Sequence, residues 1–260
     1  MIKTPLAKIA IEASQKAAEC IIKGISTRYQ IDTKTNLQDL VTEYDTRAEA
    51  IIIDTIRKQY PDHHFLGEET GHTGKGERHV LWIIDPIDGT MNFAHQFPWF
   101  AINIAAIVKG QVELAVTHNP LGDELFVAGR KKGAFLNGKR IHVSQIDTLP
   151  QALLSTSFPY GTGRLRNKAI KQFGTFAELG NPIRMMGSAA LSLAYVATGK
   201  LEAHWGYSLK PWDVAAGKLL IEEAGGTITL LNGDPVDIFG VSHVLATNKH
   251  LHSKLLSHLS

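Results

Sequence analysis

A single cysteine, Cys20, stands in a chain of 260 residues. One thiol excludes an intrachain disulfide and a thiolate metal cluster, and its place on the apolar stripe of an expected helix reads as a plain core thiol. No apolar run approaches the roughly 20 residues of a membrane-spanning helix. The opening Met1-Ile2-Lys3-Thr4-Pro5 leads into an amphipathic stretch instead of an unbroken apolar one, so a soluble, cytoplasmic protein is expected. An excess of one charge is also missing. The 27 Lys and Arg oppose 25 Asp and Glu, and the net +2 announces neither a nucleic-acid nor a membrane partner. Repeats and low-complexity tracts are absent, and Gly and Pro are scattered, which excludes collagen-like and disordered classes. What remains is globular: 44% hydrophobic and 20% charged residues, enough for one large domain or two closely packed halves.

Leu6, Ile9, Ala10, Ala13, Ala17, Cys20 and Ile21 recur at helical spacing and predict a first helix reaching about Gly24. Ala48, Ile51, Ile52 and Ile56 predict a second, which must end near Tyr60 because Pro61 cannot continue it. Val80 to Ile84 reads as a strand buried on both faces and stopping at Asp85-Pro86. Four strand-like runs follow, Phe100 to Val108, Val112 to His118, Glu124 to Ala128 and Ala134 to Val143, with short connections that suit an antiparallel meander. Beyond Pro150 strand and helix alternate: strands at Leu153 to Phe158, Ile183 to Met186, Leu201 to Trp205, Gly226 to Leu231 and Val244 to Thr247, and helices at Leu165 to Glu178, Ser188 to Thr198, Trp212 to Ala224 and the last ten residues. The expected fold class is α/β, with an α+β half over 1–147 and an α/β half over 148–260 and no flexible linker between them.

Acids stand at the ends of these elements. Asp85 and Asp88 flank Pro86 and Ile87, so two carboxylates and the Ile87 carbonyl can converge on one hard dication such as Mg²⁺. By itself the segment is as readily a turn at Asp88-Gly89 capped by Asp85. Gly89 lets a backbone N–H approach an anion, Thr90 offers a hydroxyl, and a helix starting at Thr90 would turn its N-terminus to phosphate. A covalent aspartyl-phosphate route would want an acid two residues before Asp88. Pro86 stands there, which argues for direct attack by metal-activated water. Glu68 and Glu69 sit on a tight loop after a short strand at Phe65-Leu66, and Asp213 opens a helix behind Lys210-Pro211. Each has an ordinary alternative, a solvated loop or a first-turn acid.

Taken together, Gly67-Glu68-Glu69, Asp85-Pro86-Ile87-Asp88-Gly89-Thr90 before Met91-Asn92-Phe93, and Pro211-Trp212-Asp213-Val214-Ala215-Ala216-Gly217 ahead of Glu223-Ala224-Gly225-Gly226 resemble the inositol monophosphatase family. Gly187-Ser188-Ala189-Ala190 and the stretch from Lys34 to Asp45 add to the resemblance. It implies a layered α-β-α-β-α sandwich of the kind shared with fructose-1,6-bisphosphatase, commonly a homodimer, and two to three Mg²⁺ ions per site. Glu68, Asp85 and the Ile87 carbonyl would hold one ion. Asp85, Asp88 and Asp213 would hold another, and a third, looser ion would use Glu68. Thr90, backed by Asp45, would orient the attacking water, Glu68 would help deprotonate it, and the Gly89 and Thr90 amides would hold phosphate without an arginine clamp. Lys34 would steady a loop over the metals, His95 reads as structural or surface, and lithium would inhibit.

The implied substrate is a small phosphorylated alcohol, met by Asp88 and by Gly187, Ser188 and Ala189. The family often has a Glu seven residues before the aspartate of Trp-Asp; here that position is Gly206, which implies a roomier pocket than strict inositol selectivity needs. Met91-Asn92-Phe93 favours the inositol branch over relatives acting on histidinol phosphate, fructose 1,6-bisphosphate or 3′-phosphoadenosine 5′-phosphate. A regulatory protein with an RNA or transcription-related partner is the alternative of another class, and retention of Glu68, Asp85, Asp88, Thr90 and Asp213 argues against a loss of catalysis.

Overall fold

The structure, a computed structural model, describes residues 2–25, 31–33, 40–74, 79–240 and 242–259. The strand Val80–Asp88 organises it. Successive strand side chains point to opposite faces, and here Leu81 and Ile83 enter one core while Trp82 and Ile84 enter another. A strand covered on both sides has no polar face to show.

Val80–Asp88 is central to an eight-stranded sheet of order 139–141, 133–136, 124–129, 111–119, 101–108, 80–88, 64–67, 71–73. All its pairs are antiparallel except His64–Gly67 against Val80–Asp88. The helices Pro5–Ile25 and Glu43–Gln59 cover one face, burying Ala13, Ala17, Ile52 and Ile56 against Phe65, Trp82 and Ile104. The helices Ala189–Ala197 and Pro211–Glu223 cover the other. Their far side meets a five-stranded sheet of order 183–184, 154–156, 203–209, 242–247, 227–230, parallel in its first two pairs and antiparallel in the rest. Arg164–Glu178 and His252–Leu259 close its outer face over Leu154, Trp205 and Leu245. The result is the α-β-α-β-α layering, and the middle helices share one core with both sheets.

Several expected boundaries move. The strand from Val80 does not stop at Asp85: it runs on through Pro86 to Asp88, with its register against Ala101–Val108 shifting between Asp85 and Asp88. A proline has no N–H for the ladder and is accommodated at such an irregularity. The second helix starts at Glu43, well before its apolar repeat, because Thr42 and Asp45 form a reciprocal capping box. Ala203–Leu209 starts later than the expected strand and outlasts it by four residues through a bulge at which Ser208 takes a φ of 56°. Ile183–Arg184 is shorter than expected. Cys20 is half-buried, not in the core. No helix among the described residues is long and apolar enough to cross a membrane.

Candidate active site

Three carboxylates meet at the carboxyl end of the central strand. Asp85 and Asp88 come from the irregular end of Val80–Asp88, and Asp213 from the first turn of Pro211–Glu223 in the middle helical layer. One oxygen from each lies within 4.8 Å of those of the other two. The shift between Asp85 and Asp88 makes this convergence possible, since residues three apart on a regular strand would face opposite sides.

Local hydrogen bonds fix each acid. Asp85 Oδ1 accepts from the Ile87 amide at 3.0 Å, turning the carboxylate back over its own bend. Asp88 Oδ2 accepts from the Ser188 hydroxyl and from the Ala190 amide at 2.7 Å. Asp213 Oδ2 accepts from the Lys210 amide at 2.7 Å, which leaves its other oxygen for the cleft. The helix carrying Asp213 is tied to the large sheet by Asn103, whose amide donates to the Trp212 carbonyl at 2.6 Å.

Asp85 and Asp88 are buried and Asp213 is half-buried, and among the described residues none is salt-bridged to Arg, Lys or His. Burial, followed by the nearby charges of Glu68, Asp88 and Asp213, pushes the Asp85 carboxyl well above its usual range. Burial likewise raises Asp213, with Asp88 adding to it. Burial raises Asp88 to about 6 against the opposing bonds from Ser188 and the Ala189 and Ala190 amides. Stacked like charges in a desolvated place ask for a cation. The donor set is all carboxylate oxygen, the chemistry that suits Mg²⁺ and not a soft metal.

Glu68, on the loop after His64–Gly67, stands outside the tight triad but lines the same cleft and raises both Asp85 and Asp213. Gly89, with φ 105°, turns the chain from the strand into the short helix Thr90–Ala94. A Cβ there would sit 3.1 Å from the Trp99 carbonyl oxygen and 3.2 Å from that of Gly187, so only glycine fits. The Thr90 hydroxyl lies 3.1 Å from both Asp45 Oδ1 and the Ile87 carbonyl. Asp45 is fully buried, and that burial raises it to about 6 although Thr42 donates to it twice.

Of the residues expected to meet the alcohol, Gly187, Ser188 and Ala189 line the cleft. The Ser188 hydroxyl is committed to Asp88 and also accepts from the Leu191 amide, so it acts as clamp and helix cap together. Gly206 is buried behind Ser157, Leu209 and His204 and does not reach the cleft wall. His95 is exposed on the surface, as expected. Lys34 lies outside the described residues.

Among the supporting residues, Glu49 carries no sequence motif of its own. Glu49 is fully buried, and its two oxygens accept from the Glu69 and Thr70 amides, both at 2.9 Å, pinning the loop that bears Glu68. Gly67 leaves room for that carboxylate, against which a Cβ would collide. The signal was present: Asp45 and Glu49 fall on the Ala48, Ile52, Ile56 face, where an acid is out of place unless it is partnered. Asn92, inside the quoted motif, donates to the Trp99 and Met186 carbonyls at 2.7 and 2.8 Å and so joins the first half of the site to the second.

Layers and site together define an α/β protein with a cleft walled by three carboxylates that could hold a metal ion. The chain belongs to the inositol monophosphatase family, whose model matches residues 2–260. It is 41% identical over 230 residues to Nus factor SuhB of Escherichia coli, covering 88% of this chain and 86% of that protein. The Thermotoga maritima IMPase structure superposes with a TM-score of 0.90 at 34% identity, covering 98% of this chain and 97% of the other. An IMPase/NADP phosphatase complexed with Mg²⁺ and phosphate superposes with a TM-score of 0.86 at 25% identity, covering 98% and 95%.

Proposed function

We propose that this chain is a Mg²⁺-dependent phosphomonoesterase that hydrolyses myo-inositol monophosphates and other small sugar or polyol phosphates by direct attack of water. The observation that carries the reading is the meeting of Asp85 and Asp88, from the end of one strand, with Asp213, from the start of a helix, within 4.8 Å, beside a hydroxyl held by a buried acid. The family membership and the Mg²⁺ and phosphate bound by a structural neighbour support it. Two to three ions would be held by Glu68, Asp85, the Ile87 carbonyl, Asp88 and Asp213. Bound Mg²⁺ would supply a lowered pKa for the attacking water and a partner for the leaving oxygen.

The chain's own groups do the rest. Thr90 has one proton and two acceptors at 3.1 Å. Giving it to Asp45 leaves the Ile87 carbonyl for the cation and a Thr90 lone pair for a proton of the attacking water. Glu68 is the nearby carboxylate for the proton that this water releases. The Gly89 and Thr90 amides, at the bend after the strand, are the donors for the phosphoryl oxygens.

Glu49 acts on this site through Glu68. Replacing Glu49 with Gln leaves one acceptor where two amides need partners, so the loop over 67–70 loosens. Apparent Mg²⁺ affinity is expected to fall about 10- to 100-fold, read as a shifted Mg²⁺ activation curve. An unchanged curve would show that Glu49 only props the fold.

The test of the function is phosphate release from myo-inositol 1-phosphate and from a panel of sugar, nucleotide and histidinol phosphates, with Mg²⁺ and with chelator. Mg²⁺-dependent turnover inhibited by lithium is expected. Turnover indifferent to chelator, or none on any ester, would overturn the reading. The name of the E. coli relative, Nus factor, supports a second, transcription-linked binding role as the alternative; the intact carboxylate set favours catalysis here. Assembly as a homodimer is proposed on the family resemblance.

A further inference from the structure

The cleft that begins at the carboxylates measures about 650 Å³, a size for ligands well beyond one ring and one phosphate. One stretch of its wall is of another kind, with Phe158, Tyr160, Arg166 and Met185. Tyr160 is 63% and Met185 54% exposed, so this wall is open to whatever extends out from the metal end.

Arg166 is the cation of this wall. Its Nη1 donates to the Pro159 carbonyl at 3.0 Å, and its guanidinium carbon lies 5.6 Å from the centre of the Phe158 ring. Both partners are neutral. Among the described residues the guanidinium has no acid partner, so the side chain is held in place without being neutralised, and most of its five donors remain unused. Holding it in advance lowers the entropy an incoming anion would have to offset. Its setting does not serve the helix either. Arg164 and Arg166 lie in the first turn of Arg164–Glu178, which has no acid there and no side-chain cap, and cations at that positive end of a helix cost stability.

A neutral polyol attached to one phosphate offers such a cation hydroxyl oxygens but no opposite charge, because its only anion would sit at the carboxylate end. We propose that Arg166 receives a second anionic group of the substrate, so that the cleft selects phosphomonoesters carrying a second phosphate or a carboxylate remote from the scissile phosphate. This deepens the phosphatase reading and rests on it. Arg166 is then a specificity-determining residue that binds a group other than the reacting one, and its loss acts on KM more than on kcat.

The test compares fructose 1,6-bisphosphate with fructose 6-phosphate and 6-phosphogluconate with glucose 6-phosphate, so that one pair reports a second phosphate and the other a carboxylate. In Arg166→Gln the preference for the doubly anionic member, as a ratio of kcat/KM values, is expected to fall about 10- to 100-fold in at least one pair, through KM. Arg166→Lys, which keeps the charge without the planar fork, is expected to keep part of the preference, and melting curves of both variants confirm folding. A ratio that does not move in either pair, or a lysine variant no better than the glutamine one, would overturn the inference while leaving the phosphatase intact. No turnover of any of the four esters or of inositol monophosphate would remove the phosphatase reading and this inference with it.

Discussion

Asp85→Asn is expected to do two opposite things: lower Mg²⁺-dependent phosphate release by about three orders of magnitude, and raise the melting temperature of the metal-free protein. Asp85 is the acid on which the charges of Glu68, Asp88 and Asp213 all press. On the proposed reading it would be a ligand to the bound Mg²⁺, and losing several kcal/mol of charge stabilisation at the reacting phosphate converts to roughly that factor in rate. Without metal the same carboxyl must either sit as a buried charge among like charges or hold a proton to avoid doing so, and a neutral amide of equal size removes that cost. The amide oxygen still accepts from the Ile87 N–H, so the bend survives. Each kcal/mol relieved is worth about 2–4 °C in a chain of this size. Activity assays and melting curves with and without Mg²⁺ read both effects. A variant that keeps a tenth of the activity, or melts lower than wild type without metal, would mean that the triad is a structural cluster and not a cation site.

Thr90→Val should reduce kcat by about 10²- to 10⁴-fold, the usual weight of a positioned proton acceptor, with a smaller change in apparent Mg²⁺ affinity. The side chains are nearly equal in shape, but valine neither donates to Asp45 nor accepts from water. Asp45, fully buried, keeps its two bonds from Thr42 and loses the third from Thr90. Thr90→Ser restores a hydroxyl on the same backbone and should recover most of the rate. If serine were as slow as valine, the hydroxyl would have no part in the chemistry and the methyl packing would be what matters.

Much of this site could be read in the sequence because its parts sit where strands and helices stop. The apolar run before Asp85 has the look of a strand with two buried faces, and Leu81, Ile83 and Trp82, Ile84 do part to opposite cores. The Pro211-Trp212-Asp213 helix start was equally plain. Harder to see was how the chain gets from Asp85 to Asp88. A run ending in Asp-Pro reads as a strand end, whereas the ladder continues past Pro86 with a shift, and that irregularity depends on pairing with Ala101–Val108, more than ten residues away. Glu49 was missed for a related reason: its partners are the amides of residues 69 and 70, twenty positions on. Arg166 lies about 80 residues from the core motif, and only the stacking of the second sheet on the middle helices brings it to the same cleft. Local periodicity shows which face is buried, but not which distant residue arrives there.

The central claim is that Asp85, Asp88 and Asp213 hold the Mg²⁺ that makes this chain a phosphatase. The most direct measurement strips the protein with chelator, back-titrates it with Mg²⁺, and follows phosphate released from myo-inositol 1-phosphate. The account predicts a silent stripped enzyme whose activity returns with saturating Mg²⁺ and fails to return when Ca²⁺ or buffer alone replaces it. Full activity in the stripped protein would contradict it.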